Sequence, residues 1–203
     1  MTSTHTGGAC PTSHKHADPY KQKNLDLDTS LKEKVEGLVS FAEGLKFGLM
    51  TTRQTESGML VSRCMAVAAR EDDIDFLFYT NTETGKADEL VLDSHGEWAS
   101  ISGVADVNCD REKVKQYYTP SLKAWVGDLG DGIHDGGPGD PRLAIIKVHA
   151  KTATYAIQKG TAVSRGIEIA KGTITGNAAS TNQLRELTEQ ELETFRNSQK
   201  LIS

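Results

Sequence analysis

The sequence predicts a mainly β, α+β domain: an antiparallel barrel or sandwich carrying a few peripheral helices. Three observations lead there. Several short segments alternate apolar and polar residues with a period of two, and Gly-rich polar turns separate them. Helical periodicity is confined to the two ends and one short internal stretch. Strands and helices show no βαβ alternation, and no GxGxxG, GxxxxGK[ST] or GxSxG motif sits at a strand-to-helix turn. The sequence therefore lacks the context for Rossmann, P-loop or nucleophile-elbow chemistry.

The chain has 203 residues, 37% of them hydrophobic, enough for one core of ordinary size. Residues 1–24 are rich in Ser, Thr, His, Gly and Lys with no apolar period, which predicts a flexible tail ahead of a domain spanning 25–203. His5, His14 and His16 are metal-competent types, but solvated tail histidines are the commoner reading. Asp28, Thr29 or Ser30 can cap a helix whose Leu31, Val35, Leu38, Val39 and Phe41 recur at helical spacing, ending by Glu43 and Gly44.

The period then shortens. FGLMTT (47–52), MLVSRCMAVAA (59–69) and IDFLFYT (74–80) read as a meander of three strands. WASISGVADVN (98–108) is a further strand with a bulge at Gly103, and REKVKQYY after Asp110 is a short helix. RLAIIKVHAKTATYAIQ (142–158) reads as two strands or one strongly bent strand, and TAVSRGIEIAKGTITG (161–176) as one or two ragged strands. TEQELETFRNSQK, with Thr188 and Glu191 in capping-box positions, is the terminal helix.

Charge and cysteines narrow the partners. A net charge of -5 offers no basic surface to exchange for phosphate counterions, so nucleic acid is excluded. No stretch approaches the roughly 20 apolar residues of a membrane span, and the N-terminus has no signal-peptide core. Cys10, Cys64 and Cys109 form neither a CxxC nor an even set, which fits a reducing compartment. The expectation is a soluble cytoplasmic protein.

Two stretches invite chemistry. GDLGDGIHDGGPGDP (127–141) supplies oxygen ligands in Asp128, Asp131, Asp135 and Asp140, but not at EF-hand spacing, so a solvated loop of glycine turns is the favoured reading. His134 in it is an acid or base type, and a lone loop histidine is more often incidental. The second stretch is FLFYTNTETGK (76–86), read together with Arg63, a cation in the middle of a strand. Arg63, Thr80, Thr84 and Lys86 have the charge and donors for a phosphate, although on residue types alone an ordinary hairpin turn is favoured. Trp98 and Trp125, the only tryptophans, offer flat faces for an aromatic ring or simply fill core.

The order VSRCMAVA (61–68), FLFYTNTETGKADEL (76–90) and WASISGVADVNCDREKVKQYYTPSLKAW (98–125) resembles the flavin-binding split β-barrels of the pyridoxamine 5'-phosphate oxidase-like superfamily. WVGDLGDGIHDGGPGDPR (125–142) is most similar to its general-stress-protein branch and the fungal blue-light-inducible proteins, and the likeness runs over roughly residues 25–185. The resemblance implies a six-stranded split barrel, a homodimer, and FMN in a groove between the subunits. It assigns Arg63, Tyr79, Thr80, Thr84 and Lys86 to the phosphate and ribityl chain, Ser62, Cys64 and Met65 to the ring edge, and Trp98 to the ring. Trp125 is expected near the cofactor mouth or the partner subunit.

Three departures qualify it. Only VLDSH (91–95) stands where the family places another strand with its turn, so either VLDS is a shortened strand or the barrel is one strand short. Position 85 is Gly where the oxidases have Arg, and nothing after residue 160 corresponds to their paired Arg and His, so pyridoxamine phosphate oxidase activity is not implied. The functional expectation is an FMN-dependent oxidoreductase with a small-molecule redox partner in a stress or light response. The alternatives are a flavin-binding or sensing protein without turnover, or a cofactor-free interaction domain.

Overall fold

The computed structural model describes residues 18–43, 45, 47–53, 57–71, 74–81, 89–94 and 97–201. The tail expected at 1–24 lies outside these residues up to position 17. The remainder of it is structured: Pro19–Asn24 forms α1, capped by Asp18, whose carboxylate accepts from Tyr20 N. Buried Asn24 sews that helix to the other end of the chain, donating to Ala179 O and accepting from the amides of Thr181 and Asn182. The domain therefore starts earlier than residue 25, because one Asn satisfies backbone groups more than 150 positions away.

Helix α2, Leu31–Glu43, begins with a reciprocal cap in which Ser30 and Glu33 bond each other's backbone amides. Among the described residues seven strands follow: β1 Phe47–Arg53, β2 Leu60–Glu71, β3 Asp75–Asn81, β4 Glu89–Ser94, β5 Glu97–Asn108, β6 Leu143–Gln158 and β7 Asn182–Leu187. They form one antiparallel sheet in the order β3-β2-β1-β4-β5-β6-β7, and β3 also pairs with β6, so the first six close into a ring. The six-stranded barrel expected from the sequence is there, and the strand in doubt is present. ELVLDS is β4, bonded to β1 from Leu49↔Val91 to Thr51↔Glu89 and to β5 along its whole length.

Strand β6 holds the ring together. Its start pairs with β3 (Leu143↔Asn81 to Val148↔Phe76), its end pairs with β7 (Ala153↔Leu187 to Gln158↔Asn182), and its opposite edge pairs with β5 from Ile145 to Ala156. It is one long strand, not two. The bulge expected at Gly103 lies between Ser102 and Gly103, where a Cβ would collide with the His149 carbonyl oxygen. Only glycine lets the strands approach that closely.

Inside the ring, Met50, Phe76, Phe78, Ile101 and Tyr155 meet Val35 and Leu38 of α2 and Leu192 and Phe195 of α6, Glu189–Lys200. Each such buried aliphatic or aromatic side chain contributes roughly 1.5–3 kcal/mol. A second cluster lies outside the β3–β6 wall. There Leu77, Tyr79 and Leu143 pack under α3 (Arg111–Tyr117), the 3-10 turn Pro120–Leu122 and α4 (Lys123–Val126) through Val114 and Leu122.

One sequence expectation fails outright. Residues 161–176 contain no strand; Ala162–Thr175 is a helix, α5, opened by a Thr161/Ser164 capping box and closed by left-handed Gly176. Val163, Ile167, Ile169 and Ile174 biased the segment towards strand, but caps at both ends outweigh intrinsic propensities that differ by less than about 1 kcal/mol per residue.

Candidate functional site

The β2–β3 ladder runs from Glu71↔Asp75 to Val67↔Phe78 and, among the described residues, goes no further. Beyond it β2 follows β1, with Arg63 opposite Met50, while β3 follows β6, with Tyr79 opposite Ile145 and Thr80 opposite Ala144. The two strands diverge, and a cavity of about 430 Å³ fills the gap. That volume lies within the range of small-molecule and cofactor sites. Arg63, Cys64, Met65 and Ala66 form one wall, Tyr79 and Thr80 the other, and Leu122, Trp125 and Val126 the roof.

The closed end of the split is clasped by charge. Glu71 accepts from Lys147 at 2.9 Å, Tyr117 at 2.8 Å and Lys113 at 3.2 Å, and the Lys147 hydrogen bond above all draws its pKa down to about 2. Asp75, fully buried, accepts from Arg196 at 2.7 Å and interacts with His149 at 2.9 Å. Burial alone would raise the Asp75 pKa, but these hydrogen bonds and charges hold it below the ordinary value.

The roof is braced by the Asp/Gly loop. Arg142 donates to the carbonyls of Val126 (3.2 Å), Gly127 (2.8 Å) and His134 (3.3 Å), and its guanidinium meets Asp140 at 2.7 Å. Asp140 is completely buried, also accepts from Gly136 N, and is held well below the usual carboxylate range, chiefly by the Arg142 hydrogen bond. Asp128, Asp131 and Asp135 accept backbone amides within the same loop, and Asp131 also contacts the His134 ring. All four aspartates thus act as turn acceptors. Tyr118 Oη adds a bond to Gly136 O at 3.0 Å. Gly127, at φ 70°, turns the chain out of α4, and Trp125 is left 77% exposed at the cavity rim.

Of the residues singled out from sequence, Arg63, Cys64, Met65, Tyr79, Thr80 and Trp125 are brought together at one cavity. Ser62 is not among its lining side chains: it faces the opposite side of β2, sharing a 2.8 Å hydrogen bond with Thr51. Trp98 is also outside the lining, opposite Asp93 on β4 and Ala156 on β6. Thr84 and Lys86 lie outside the described residues. Sequence reasoning missed Leu122 and Val126 in the roof and the Asp140–Arg142 brace beneath it. The adjacency of one Asp and one Arg around Pro141 was the available signal, masked by three other aspartates in the loop.

The cavity has a definite chemical polarity. Met50, Met65, Leu122, Val126, Leu143 and Ile146 make most of it apolar, while Arg63 brings a cation. Arg63 shares a sheet face with Met50, which is 1% exposed, so its charge points to the buried side of β2. Tyr79 is buried and its hydroxyl finds no hydrogen-bond partner among the described residues. Burial, with neighbouring Tyr117 and Tyr118, pushes its pKa up to about 12, so it stays a neutral donor. A buried hydroxyl in this setting can take up a hydrogen bond from a ligand or a water. The arrangement suits a planar, mostly apolar molecule that carries an anionic group and a hydrogen-bond acceptor.

Comparison with known proteins agrees with the fold. The Pyridoxamine 5'-phosphate oxidase like family model matches residues 33–180. Protein bli-3 of Neurospora crassa is 50% identical over 198 residues, covering 92% of this chain and 95% of that protein. Among solved structures, a putative general stress protein 26 from Jannaschia sp. CCS1 superposes with a TM-score of 0.56 at 18% identity, covering 77% of this chain and 99% of that one. The general stress FMN/FAD binding protein of Xanthomonas citri superposes with a TM-score of 0.50 at 22% identity, covering 64% and 92%. With its split between β2 and β3 and a family match over most of its length, the chain belongs to the pyridoxamine 5'-phosphate oxidase-like family.

Proposed function

We propose that the cleft between β2 and β3 binds FMN in a homodimer and that the protein is a cytoplasmic flavin-dependent oxidoreductase acting on a small molecule. The observation that carries this reading is the buried Tyr79 hydroxyl, without a partner among the described residues, at an apolar cavity that also holds Arg63. FMN is a flat apolar ring system with acceptor atoms, a polyhydroxyl chain and a phosphate, so the donor set fits it. Arg63 and Thr80, with Thr84 and Lys86 beyond the described residues, would hold the phosphate and ribityl chain. Cys64 and Met65 would follow the ring edge, Ser62 would contribute backbone only, and Trp125 would screen the open side from water. Trp98, off the cavity of its own subunit, reaches a flavin only across the subunit interface.

The flavin, when bound, supplies the hydride or electron transfer; the chain's residues bind it, orient it and exclude water. Arg63 would favour an anionic end electrostatically, and Tyr79, neutral at physiological pH, can only donate or accept a hydrogen bond. Free Cys64 and Cys109 fit a reducing setting. Among the described residues no helix is long and apolar enough to cross a membrane. Residues 161–203 contain no His, so pyridoxamine 5'-phosphate is not the proposed substrate.

The second reading is a flavin-binding protein without turnover. It is favoured by a lining that, among the described residues, contains no Asp, Glu or His to serve as acid or base. Absorbance of protein purified with added FMN tests the site: flavin bands are expected, weakened by Arg63→Ala and Lys86→Ala. No bands, with both variants indistinguishable from wild type, would overturn the flavin assignment. Steady-state NAD(P)H oxidation by loaded protein then separates the two readings, because the absence of turnover with every common acceptor leaves only binding.

A further inference from the structure

Asn24, Asp75, Asp140, Arg142 and Arg196 are buried polar or charged residues, and each is tied to its own subunit by hydrogen bonds. Thr52, on β1, is buried as deeply, at 2% exposure, and opens instead on the cavity. The register of β1 on β2 fixes where its hydroxyl can act. Thr52 stands opposite Val61, and Met50 stands opposite Arg63. Directly opposed residues of an antiparallel pair share a face, as do residues two apart along a strand, so Thr52, Met50 and Arg63 project to the same side of the sheet. On that side Thr52 is the diagonal neighbour of Arg63, a separation that a side chain as long as arginine spans. Arg53, next in the chain, alternates to the other side and donates to Gly58 O at 2.9 Å. Thr52 and Arg63 therefore make a polar corner in a cavity whose Leu122, Val126 and Leu143 are apolar.

We infer that Thr52 is a ligand-binding residue: beside Arg63, its hydroxyl donates to the anionic end of the bound molecule, a phosphate monoester. The chemistry favours that end over the ring. A phosphate presents several acceptor oxygens, and one guanidinium offsets charge without saturating them, so a neutral donor next to the cation adds a charge-assisted hydrogen bond. Tyr79, the other buried hydroxyl of the cavity, stands on β3 and packs with Leu122 and Leu143, so the two hydroxyls serve different walls. Burying the Thr52 hydroxyl also has a cost that valine, of nearly the same volume and well suited to a strand, does not carry. A phosphate oxygen at this corner offsets it. The inference rests on the flavin reading above and adds a residue that distinguishes the phosphorylated flavin from the bare one.

The test is a pair of titrations of the full-length, flavin-free protein, one with FMN and one with riboflavin, which has the same ring and chain without the phosphate. Thr52→Val is expected to weaken FMN about 10-fold or more and to leave riboflavin within about 2-fold. Thr52→Ser, which keeps the hydroxyl, is expected to bind FMN like wild type. The flavin-free Thr52→Val protein should melt no lower than wild type, so that a loss of binding is not a loss of fold. Thr52→Val binding FMN like wild type overturns the inference, and so does an equal loss of FMN and riboflavin, because the hydroxyl would then shape the cavity without reading the phosphate. Wild type that binds neither flavin sinks the flavin reading, and inorganic phosphate then decides this one. A rise in melting temperature with phosphate that is smaller in Thr52→Val leaves the inference standing, and an equal rise, or none in either protein, overturns it as well.

Discussion

Replacing Tyr79 by Phe should move stability and ligand affinity in opposite directions. The hydroxyl is buried and finds no partner among the described residues, while the ring packs with Leu77, Leu122 and Leu143. A hydroxyl taken out of water without a hydrogen bond costs about 1–3 kcal/mol on the scale of mutational data. Tyr79→Phe keeps the ring contacts and removes that cost, so flavin-free protein should gain on the order of 1–2 kcal/mol. For a domain of this size that raises the melting temperature by roughly 2–8 °C. Bound flavin reverses the sign, because the hydroxyl then has an acceptor whose loss costs about 0.5–1.5 kcal/mol, a Kd weakened roughly 2- to 12-fold. Thermal unfolding of stripped protein and an FMN titration by fluorescence quenching measure the two halves. A stripped variant less stable than wild type means that the hydroxyl already has a partner, and an unchanged Kd means that it does not face the ligand. Either result refutes the reasoning.

Three other perturbations probe the same frame. Arg63→Ala removes a charge-assisted contact and should weaken FMN binding by about 1.5–3 kcal/mol, whereas Arg63→Lys, a point charge without the planar fork, should recover only part; paired titrations decide. Asp140→Asn strips the buried partner from Arg142, which should cost about 3 kcal/mol in urea unfolding, softened by the three carbonyls that Arg142 keeps, and should shift the emission of Trp125 on the loosened roof. Glu71 titrates at about 2 in the fold against an ordinary 4.5, a depressed value. Its contribution, on the order of 2 kcal/mol, is therefore present above pH 4.5 and lost as the pH falls towards 2. Asp75 and Asp140, also depressed, act in the same sense. Denaturant midpoints at descending pH should drop across that window, and Glu71→Gln should flatten the drop.

How much was legible in the sequence depended on whether the signal was local. Strands 47–53, 60–71, 75–81 and 97–108 announce themselves by alternation and by the turns between them, and the Thr188 and Glu191 box marks the last helix to within a residue. Segment 161–176 misled because its β-branched residues speak for strand at every position, whereas the decision lay in two caps and in a polar face directed at α1. The site was legible in part. Arg63 is conspicuous as a cation inside a strand, and Tyr79 and Thr80 sit where that strand's neighbour ends. Alternation puts Ser62 and Arg63 on opposite faces of β2, but which face meets the cavity was not legible, because the ring closes through β3 and β6, segments far apart in the chain.

The position of the cavity follows from the length of β6. A strand of 16 residues cannot be matched on one edge by β3, which has only seven, so β3 covers the Leu143–Val148 portion and β7 covers Ala153–Gln158. To reach Leu143, β3 must travel with β6 past the point where β2 has turned to follow β1, and the divergence begins at Val67↔Phe78. The Glu71, Lys147 and Asp75 clasp fixes the closed end of that divergence, and the Asp140–Arg142 brace fixes the roof over its open end. Two charged locks, one at each end of β3, therefore hold apart strands that would otherwise zip. Arg63 and Tyr79 both line the apolar gap that these locks preserve.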